Sequence, residues 1–206
     1  MDDYGLSLLF DELKIIDIYD IVDHNNYLVN CKSNKKKDYN SISYLIDKPC
    51  SQSDCIKLGI AIERCLIDII LELNKNLINI KNTFNQRECD HLFMSKTNKQ
   101  IYYTELKTNL NLDTEKSKST INKCILIEQE LKKSYPDYEI KWCLLGLRYL
   151  NNSFIPNFII NKYKSIQDNV LGINEYFDLL SINYKFDENE YKKFINYIMN
   201  KIINNS

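Results

Sequence analysis

The chain has 206 residues, 44% hydrophobic and 12% aromatic, which is enough to bury one sizeable core, so we expect a single domain over residues 1–206. A formal net charge of -1 excludes a uniformly basic nucleic-acid binder and leaves only a local basic patch for DNA contact. The seven cysteines form no CxxC pair, which argues against disulfides or zinc and favours a reducing compartment. Since neither a leader-like start nor an apolar stretch of about 20 residues is visible, we expect a cytoplasmic protein without a membrane partner.

The first part of the chain predicts helices and a basic loop. Residues 6–23 have mixed apolar spacing that suits one or two short helices. Residues 30–38 are rich in lysine and form either a solvated surface loop or a DNA contact. Residues 53–76 predict a strong helix that opens with polar capping residues and is apolar almost all round, so it should be largely buried.

Three strands are expected next. Residues 78–84 fit a first strand, and residues 87–94 and 101–107 fit two more that are joined by a tight polar turn. If Thr97 and Asn98 form a two-residue turn, Lys96 pairs with Lys99, and the register of the whole hairpin follows.

That register brings acidic and basic side chains together. It sets Asp90 directly opposite Glu105, so two carboxylates share one patch of the sheet. Because side chains alternate along a strand, Lys107 lies on the face of Glu105, while Leu106 points the other way into a core. An acidic pair beside an ammonium group suits metal-assisted cleavage of a phosphodiester.

The rest of the chain predicts a helix, a strand and further helices. Residues 113–133 fit a second helix that stops before Pro136, and residues 139–149 fit a strand apolar enough to be central. From Pro156 onward we expect two or three helices, the last over residues 188–203. The element order predicts an α/β (α+β) fold in which a central mixed β-sheet is flanked by helices, with helical additions at both termini.

The Glu-x-Lys triplet around Leu106 is not distinctive by itself, because the chain contains five such triplets. They begin at Glu12, Glu105, Glu130, Glu139 and Glu190. The first, third and fifth lie in helical patterns, where residues two apart do not share a face. The fourth has no acidic strand immediately before it, so only the triplet at Glu105 has a matching aspartate across a short turn.

Glu63 is a further candidate, on the first strong helix. Helical spacing puts it above Leu66, Ile67 and Ile70 on an apolar stripe. A lone buried carboxylate is costly, so this side chain should be neutral, paired or facing a cation. The alternative is a glutamate at the edge of the stripe that reaches solvent. The prospect of a metal site nearby favours the first interpretation.

On these residues the chain resembles the PD-(D/E)xK nuclease superfamily, and within it small type II restriction endonucleases. The matching residues are Asp90, the triplet Glu105-Leu106-Lys107 after 14 intervening residues, and Glu63 on the preceding helix. The resemblance covers a core of about residues 53–150, and it implies that residues 1–52 and 151–206 are embellishments for DNA contact or dimerisation. One departure is that Cys89, rather than proline, precedes Asp90.

The resemblance implies a Mg²⁺-dependent endonuclease that cuts double-stranded DNA at a specific sequence. Asp90 and Glu105 would hold Mg²⁺, for which Mn²⁺ should substitute, with the backbone carbonyl of Leu106 as the family's further ligand. Lys107 would position the nucleophile or share the charge on the phosphate, and Glu63 would complete the ligand shell or hold a second ion through water. A homodimer would place two sites on the two strands of a palindrome, and a cognate DNA methyltransferase is the expected functional companion.

The DNA-binding residues are harder to choose. The lysines near the start of the second helix either bind DNA phosphates or form a solvent-exposed face of that helix. Other polar side chains flank the site and are placed to reach base edges. The first group is Lys116, Lys118 and Lys123, and the second is Gln86, Arg87, Asn109 and Asn111. His91 follows Asp90 and so points to the opposite face of its strand, which favours a structural role.

Two other functions remain open from the sequence. One is a different nuclease on the same core, acting in DNA repair or as a phage-type exonuclease. The other is a non-catalytic nucleic-acid-binding or protein-interaction module in which the acidic pair is an ordinary surface feature.

Overall fold

The computed structural model of the chain describes residues 52–80, 83–84 and 87–204. The helices expected over residues 6–23 and the basic loop at 30–38 lie outside these residues. The helices are α1 (Gln52–Leu73), α2 (Thr114–Ser134), α3 (Asn157–Ile160), α4 (Ile173–Leu179) and α5 (Glu188–Asn204), with 3-10 turns at Asn152–Phe154 and Asn161–Asn169. The strands are β1 (Ile78–Asn79), β2 (Thr83–Phe84), β3 (Arg87–Glu88), β4 (His91–Ser95), β5 (Gln100–Lys107), β6 (Glu139–Gly146) and β7 (Val170–Leu171).

The main sheet is mixed, as the element order predicts. Its five strands lie in the order β1-β4-β5-β6-β7. The β1–β4 and β4–β5 pairs are antiparallel, whereas β5–β6 and β6–β7 are parallel. Strands β2 and β3 form a separate antiparallel pair. The coarse prediction of a mixed sheet flanked by helices is therefore confirmed.

Each face of the main sheet is covered by helices and carries its own hydrophobic core. On one face, β5 contributes Tyr102 and Leu106 to a core shared with α1, α4 and α5. On the other face, Ile101 and Tyr103 pack with α2 and the long 3-10 segment. The alternation expected for β5 is thus present, and Leu106 points into the core as predicted.

The two long helices of the prediction are present, with small shifts at their ends. Helix α1 stops three residues before the predicted end, and its apolar residues from Leu58 to Ile70 are almost all buried. Helix α2 begins after the N-cap Asp113, whose side chain accepts a hydrogen bond from Lys116 N at 2.8 Å. The C-terminal helices α4 and α5 are part of the main core, because Phe177 and Phe194 are fully buried in the same hydrophobic cluster as α1.

Several strand predictions need correction. The segment 78–84 is not one strand, because β1 pairs with β4 while β2 pairs with β3. The segment 87–94 is interrupted at residues 89–90, and β3 belongs to the smaller sheet. Strand β6 ends at Gly146, where a turn is closed by the hydrogen bond from Tyr149 N to Gly146 O at 2.9 Å. The two-residue strand β7 was missed, since two residues are too short to show a period.

Among the described residues, no helix combines the length and the apolar character that crossing a membrane requires.

Asn174 joins the C-terminal segments through its side-chain amide. Its residue is only 5% exposed, and its Oδ1 accepts from Phe186 N at 2.9 Å while its Nδ2 donates to Phe186 O at 3.0 Å. Nδ2 also donates to Asn151 Oδ1 at 2.9 Å. One side chain therefore satisfies both backbone groups of Phe186 inside the core.

We expect Asn174→Ala to lower the free energy of unfolding by roughly 2–4 kcal/mol, because it leaves two buried backbone groups without partners. Urea denaturation followed by circular dichroism measures the change. Gln129→Ala, at an exposed position of α2, is the control and should stay within about 0.5 kcal/mol of the wild type. A loss for Asn174→Ala no larger than that of the control would contradict this account.

Candidate active site

The predicted carboxylate pair lies at the carboxyl end of β5. His91 pairs with Thr104 and Ser95 with Gln100, and one more step of this register sets Asp90 opposite Glu105. The predicted register is confirmed, although the connection is a four-residue turn over 96–99 in which Lys99 has a positive φ of 50°. Asp90 itself lies in the bend just before β4 rather than within a strand.

Asp90 interrupts the strand because its side chain replaces a backbone partner. Asp90 Oδ2 accepts a hydrogen bond from Leu106 N at 2.6 Å. Alternate amides of a strand point to the same neighbour, so this N–H faces the position that a longer β4 would occupy. The contact fixes the Asp90 carboxylate beside β5.

Glu105 is the most enclosed charged group of the site, at 3% exposure. Its Oε1 lies 2.6 Å from Lys107 Nζ, and its Oε2 lies 2.6 Å from Lys123 Nζ. The hydroxyl of Tyr103, two residues earlier on the same face of β5, also donates to Oε2 at 3.1 Å. Burial disfavours ionisation, but the two ammonium groups outweigh it and hold the pKa of Glu105 below its ordinary value.

The other two carboxylates are shifted in the opposite direction. Burial, and then the negative charge of Glu105, raise the pKa of Asp90 despite the hydrogen bond from Leu106 N. Burial and the charge of Asp90 raise the pKa of Glu63 to about 7. Asp90, Glu105 and Lys107 meet at the end of β5, and Glu63 lies on α1, the helix that contacts His91 next to Asp90.

His91 fixes the helix that carries Glu63. Its ring is completely buried, with Nε2 2.9 Å from the backbone oxygen of Glu63 and Nδ1 2.7 Å from the hydroxyl of Tyr176. A carbonyl oxygen can only accept, so Nε2 carries the proton and Nδ1 accepts from the tyrosine. Burial lowers the pKa of His91 to about 4, which keeps the ring neutral. The expected structural role agrees with this geometry.

A close approach of α1 to the end of β5 also positions Glu63. A Cβ on Gly59 would lie 3.2 Å from Thr108 Oγ1, so the absence of a side chain lets the helix come near the residue after Lys107. Gly59 and Glu63 are one helical turn apart and lie on the same side of α1.

Lys123, which the sequence analysis names as a DNA contact, lies at the site itself and pairs with Glu105. Burial lowers the pKa of Lys123, and the hydrogen bond and charge of Glu105 more than offset this, so the net shift is upward. The helical spacing of the sequence is consistent with this position of Lys123. Lys123 lies three residues after the buried Thr120 and four before the buried Ile127, at the edge of the packed face of α2.

The other predicted DNA-binding residues that the structure describes lie on α2, on β3 and in the segment after β5. Lys116 and Lys118 are exposed on the first turns of α2, and Lys116 pairs with Asp113 at 3.0 Å. Arg87 is held by Glu130 at 2.6 Å. Asn109 Oδ1 accepts from Asn111 N at 2.9 Å. Gln86 lies outside the described residues.

The donor atoms can be tested against Mg²⁺, which prefers carboxylate and carbonyl oxygens. Among residues 52–80, 83–84 and 87–204, no three His, Cys, Asp or Glu side chains stand together as a ready metal cage. The available oxygens are instead Asp90 Oδ1, Glu105 Oε1 and Leu106 O, and Lys107 Nζ donates to the last two at 2.6 and 3.1 Å. These oxygens fit Mg²⁺ in type, provided that Lys107 moves aside.

Comparison of the chain with models of known protein families, with curated proteins and with solved structures finds no match.

The neutral state of His91 predicts a pH-dependent stability. Its pKa is lower in the folded protein than the ordinary value of 6.5, so the unfolded chain binds more protons between about pH 4 and pH 6.5. Stability from this residue is fully present above about pH 6.5 and is lost as the pH falls towards 4.

We expect the wild type to lose up to about 3 kcal/mol more stability than His91→Gln between pH 7 and pH 4. Denaturant titrations of both proteins at pH 7, 5.5 and 4 measure the difference. Glu63 and Asp90 titrate in both proteins, so their contribution to the pH dependence of stability cancels in the difference. Parallel pH profiles for the two proteins would refute the assignment.

Proposed function

We propose that this protein is a type II restriction endonuclease, a Mg²⁺-dependent enzyme that hydrolyses double-stranded DNA at a specific sequence. The observation that supports this most is the convergence of Asp90, Glu105 and Lys107 at the carboxyl end of one strand. We further propose that it acts in the cytoplasm as a homodimer, alongside a methyltransferase that protects the host DNA.

The order of elements supports a restriction-endonuclease-like fold. Helix α1 precedes β1, β4 and β5, which are joined in antiparallel pairs, and α2 then leads to β6, which is parallel to β5. The proposed catalytic residues lie on α1, before β4 and at the end of β5, as the resemblance to the PD-(D/E)xK superfamily implies.

The proposed chemistry divides the roles among five residues. Asp90 and Glu105, with Leu106 O, would supply oxygens to Mg²⁺, and Glu63 would add a carboxylate at the edge of this set. Bound Mg²⁺ lowers the pKa of its water and neutralises charge on the phosphate. Lys107, whose ammonium group lies against Glu105 and Leu106 O, would hold the attacking water or share the charge of the phosphate.

One observation favours a second candidate, a non-catalytic DNA-binding module. Both oxygens of Glu105 lie 2.6 Å from ammonium groups, an arrangement that would also serve as a purely structural ion cluster. Titration calorimetry with Mn²⁺ separates the two functions. A catalytic site binds the ion and loses binding in Asp90→Ala, whereas a structural cluster binds none.

Incubation with unmethylated phage DNA and Mg²⁺ tests the proposal directly. Discrete fragments, whose sequenced ends share one motif, are the expected result. Smeared products or gradual shortening from the ends would indicate a repair nuclease or an exonuclease on the same core. Intact DNA across a range of salt and metal concentrations would rule out cleavage.

We expect Lys107→Ala to lower the cleavage rate at least about 100-fold while it leaves DNA binding within a few-fold of the wild type. Asp90→Ala should abolish the response to Mg²⁺. The control is Lys133→Ala, an exposed lysine in the last turn of α2. Single-turnover cleavage and fluorescence anisotropy measure the two properties separately. Cleavage by purified Lys107→Ala at the control rate would exclude the proposed mechanism.

A further inference from the structure

A recess lies near the edge of the sheet where the proposed active site is found. It has a volume of about 440 Å³, and its walls include Asn111, Arg148, Tyr149, Phe154, Phe158 and Lys192. This volume lies within the range of about 300–1,000 Å³ that is usual for small-ligand pockets. We call it the aromatic pocket.

The aromatic pocket begins at the same edge of the sheet as the carboxylates. Lys107 pairs with Gly146 on the parallel strand β6, and Leu147 N donates to Lys107 O at 3.0 Å. Arg148 and Tyr149 follow directly after this contact. Asn111 comes four residues after Lys107, in the segment that follows β5. The segments after β5 and after β6 therefore both lead from the site to the wall of the pocket.

Two phenylalanine side chains are left open to solvent at this pocket. Phe154 is 55% exposed and Phe158 is 57% exposed, the two highest values among the large hydrophobic residues of the described chain. A single exposed apolar residue is ordinary, but two exposed apolar rings in one recess indicate a binding surface. Their faces offer a platform for a flat partner.

The polar groups of the pocket suit a nucleotide. Lys192 and its partner Glu188 both line it, 2.8 Å apart, and Arg148 adds a second cationic side chain. Lys162 Nζ lies 2.6 Å from Asn111 Oδ1 and brings a third cation to the rim. Cations beside aromatic rings bind the phosphate and the base of one nucleotide together.

We propose that the aromatic pocket takes a nucleobase that has left the DNA stack, held between the rings of Phe154 and Phe158. A paired base is covered on both faces by its neighbours, so its ring becomes available only when the base is unpaired or flipped out. Arg148 and Lys192 contact the flanking phosphates, and the amide of Asn111 reaches the edge of the base. This inference rests on the proposed function, because it takes DNA to be the substrate of the adjacent site.

Binding to DNA that contains 2-aminopurine tests the inference, with the full-length chain in EDTA so that no cleavage occurs. One probe is a single-stranded oligonucleotide with 2-aminopurine at its centre. The second probe is a duplex with 2-aminopurine in a mismatch, and the third is the fully paired duplex. Stacking on a phenylalanine should quench the fluorescence of the first probe, and the mismatch should bind more tightly than the paired duplex.

The double variant Phe154→Ala/Phe158→Ala should bind the single-stranded probe about 5- to 150-fold more weakly and lose the quenching. Phe158→Tyr keeps a ring and should bind like the wild type. Leu126→Ala removes a side chain that is 43% exposed on α2 and does not line the pocket, so it is the matched control. If the double variant does not fold, Phe158→Asp alone replaces it, with the same expected loss.

Binding of the double variant within twofold of the control, with unchanged quenching, would overturn the inference. The result is separable from the proposed function. Sequence-specific cleavage by the wild type together with unchanged binding by the double variant would refute the nucleobase pocket and leave the proposed nuclease function standing. Quenching that depends on the phenylalanines, in a protein that never cuts DNA, would refute the nuclease function and support a nucleobase-binding pocket.

Discussion

The site depends on one buried carboxylate and the two ammonium groups that hold it. Glu105 is 3% exposed, and each of its oxygens lies 2.6 Å from a lysine Nζ, Lys107 on one side and Lys123 on the other. An ionised carboxylate at this depth is tolerated only when it is paired and hydrogen-bonded. The contact therefore ties the end of β5 to α2, and it joins one catalytic candidate to the packing of the domain.

His91 gives the same kind of connection on the opposite face of the sheet. Asp90 and His91 are adjacent, so their side chains point to different faces, one towards Glu105 and the other towards α1. The imidazole holds the backbone of Glu63 on one side and the hydroxyl of Tyr176 in α4 on the other. The relative position of Glu63 and Asp90 is thus set by a neutral, buried ring rather than by the carboxylates themselves.

Much of this arrangement could be predicted from local patterns. The turn at 96–99 and the alternation of side chains were sufficient for the register that places Asp90 opposite Glu105, since both depend on residues close in sequence. The break at Asp90 could not be predicted, because it rests on a hydrogen bond to Leu106 N sixteen positions along the chain. The ion pair of Lys123 with Glu105 was not predicted for a related reason, since a lysine beside an apolar face is ordinary until its buried partner is known.

The carboxyl groups of the site differ in their charge state. Within the part of the chain that the structure describes, the ammonium groups of Lys107 and Lys123 pair with Glu105, and Arg64 next to Glu63 is exposed to solvent. Burial is the main reason that the pKa values of Asp90 and Glu63 are raised, and the charge of a neighbouring carboxylate adds to it. A raised pKa favours the neutral acid, so protonation lowers the negative charge of these two carboxyl groups. The proposed Mg²⁺ beside Asp90 and Glu105 would favour the ionised form of both carboxyl groups, so its binding should strengthen as the pH rises.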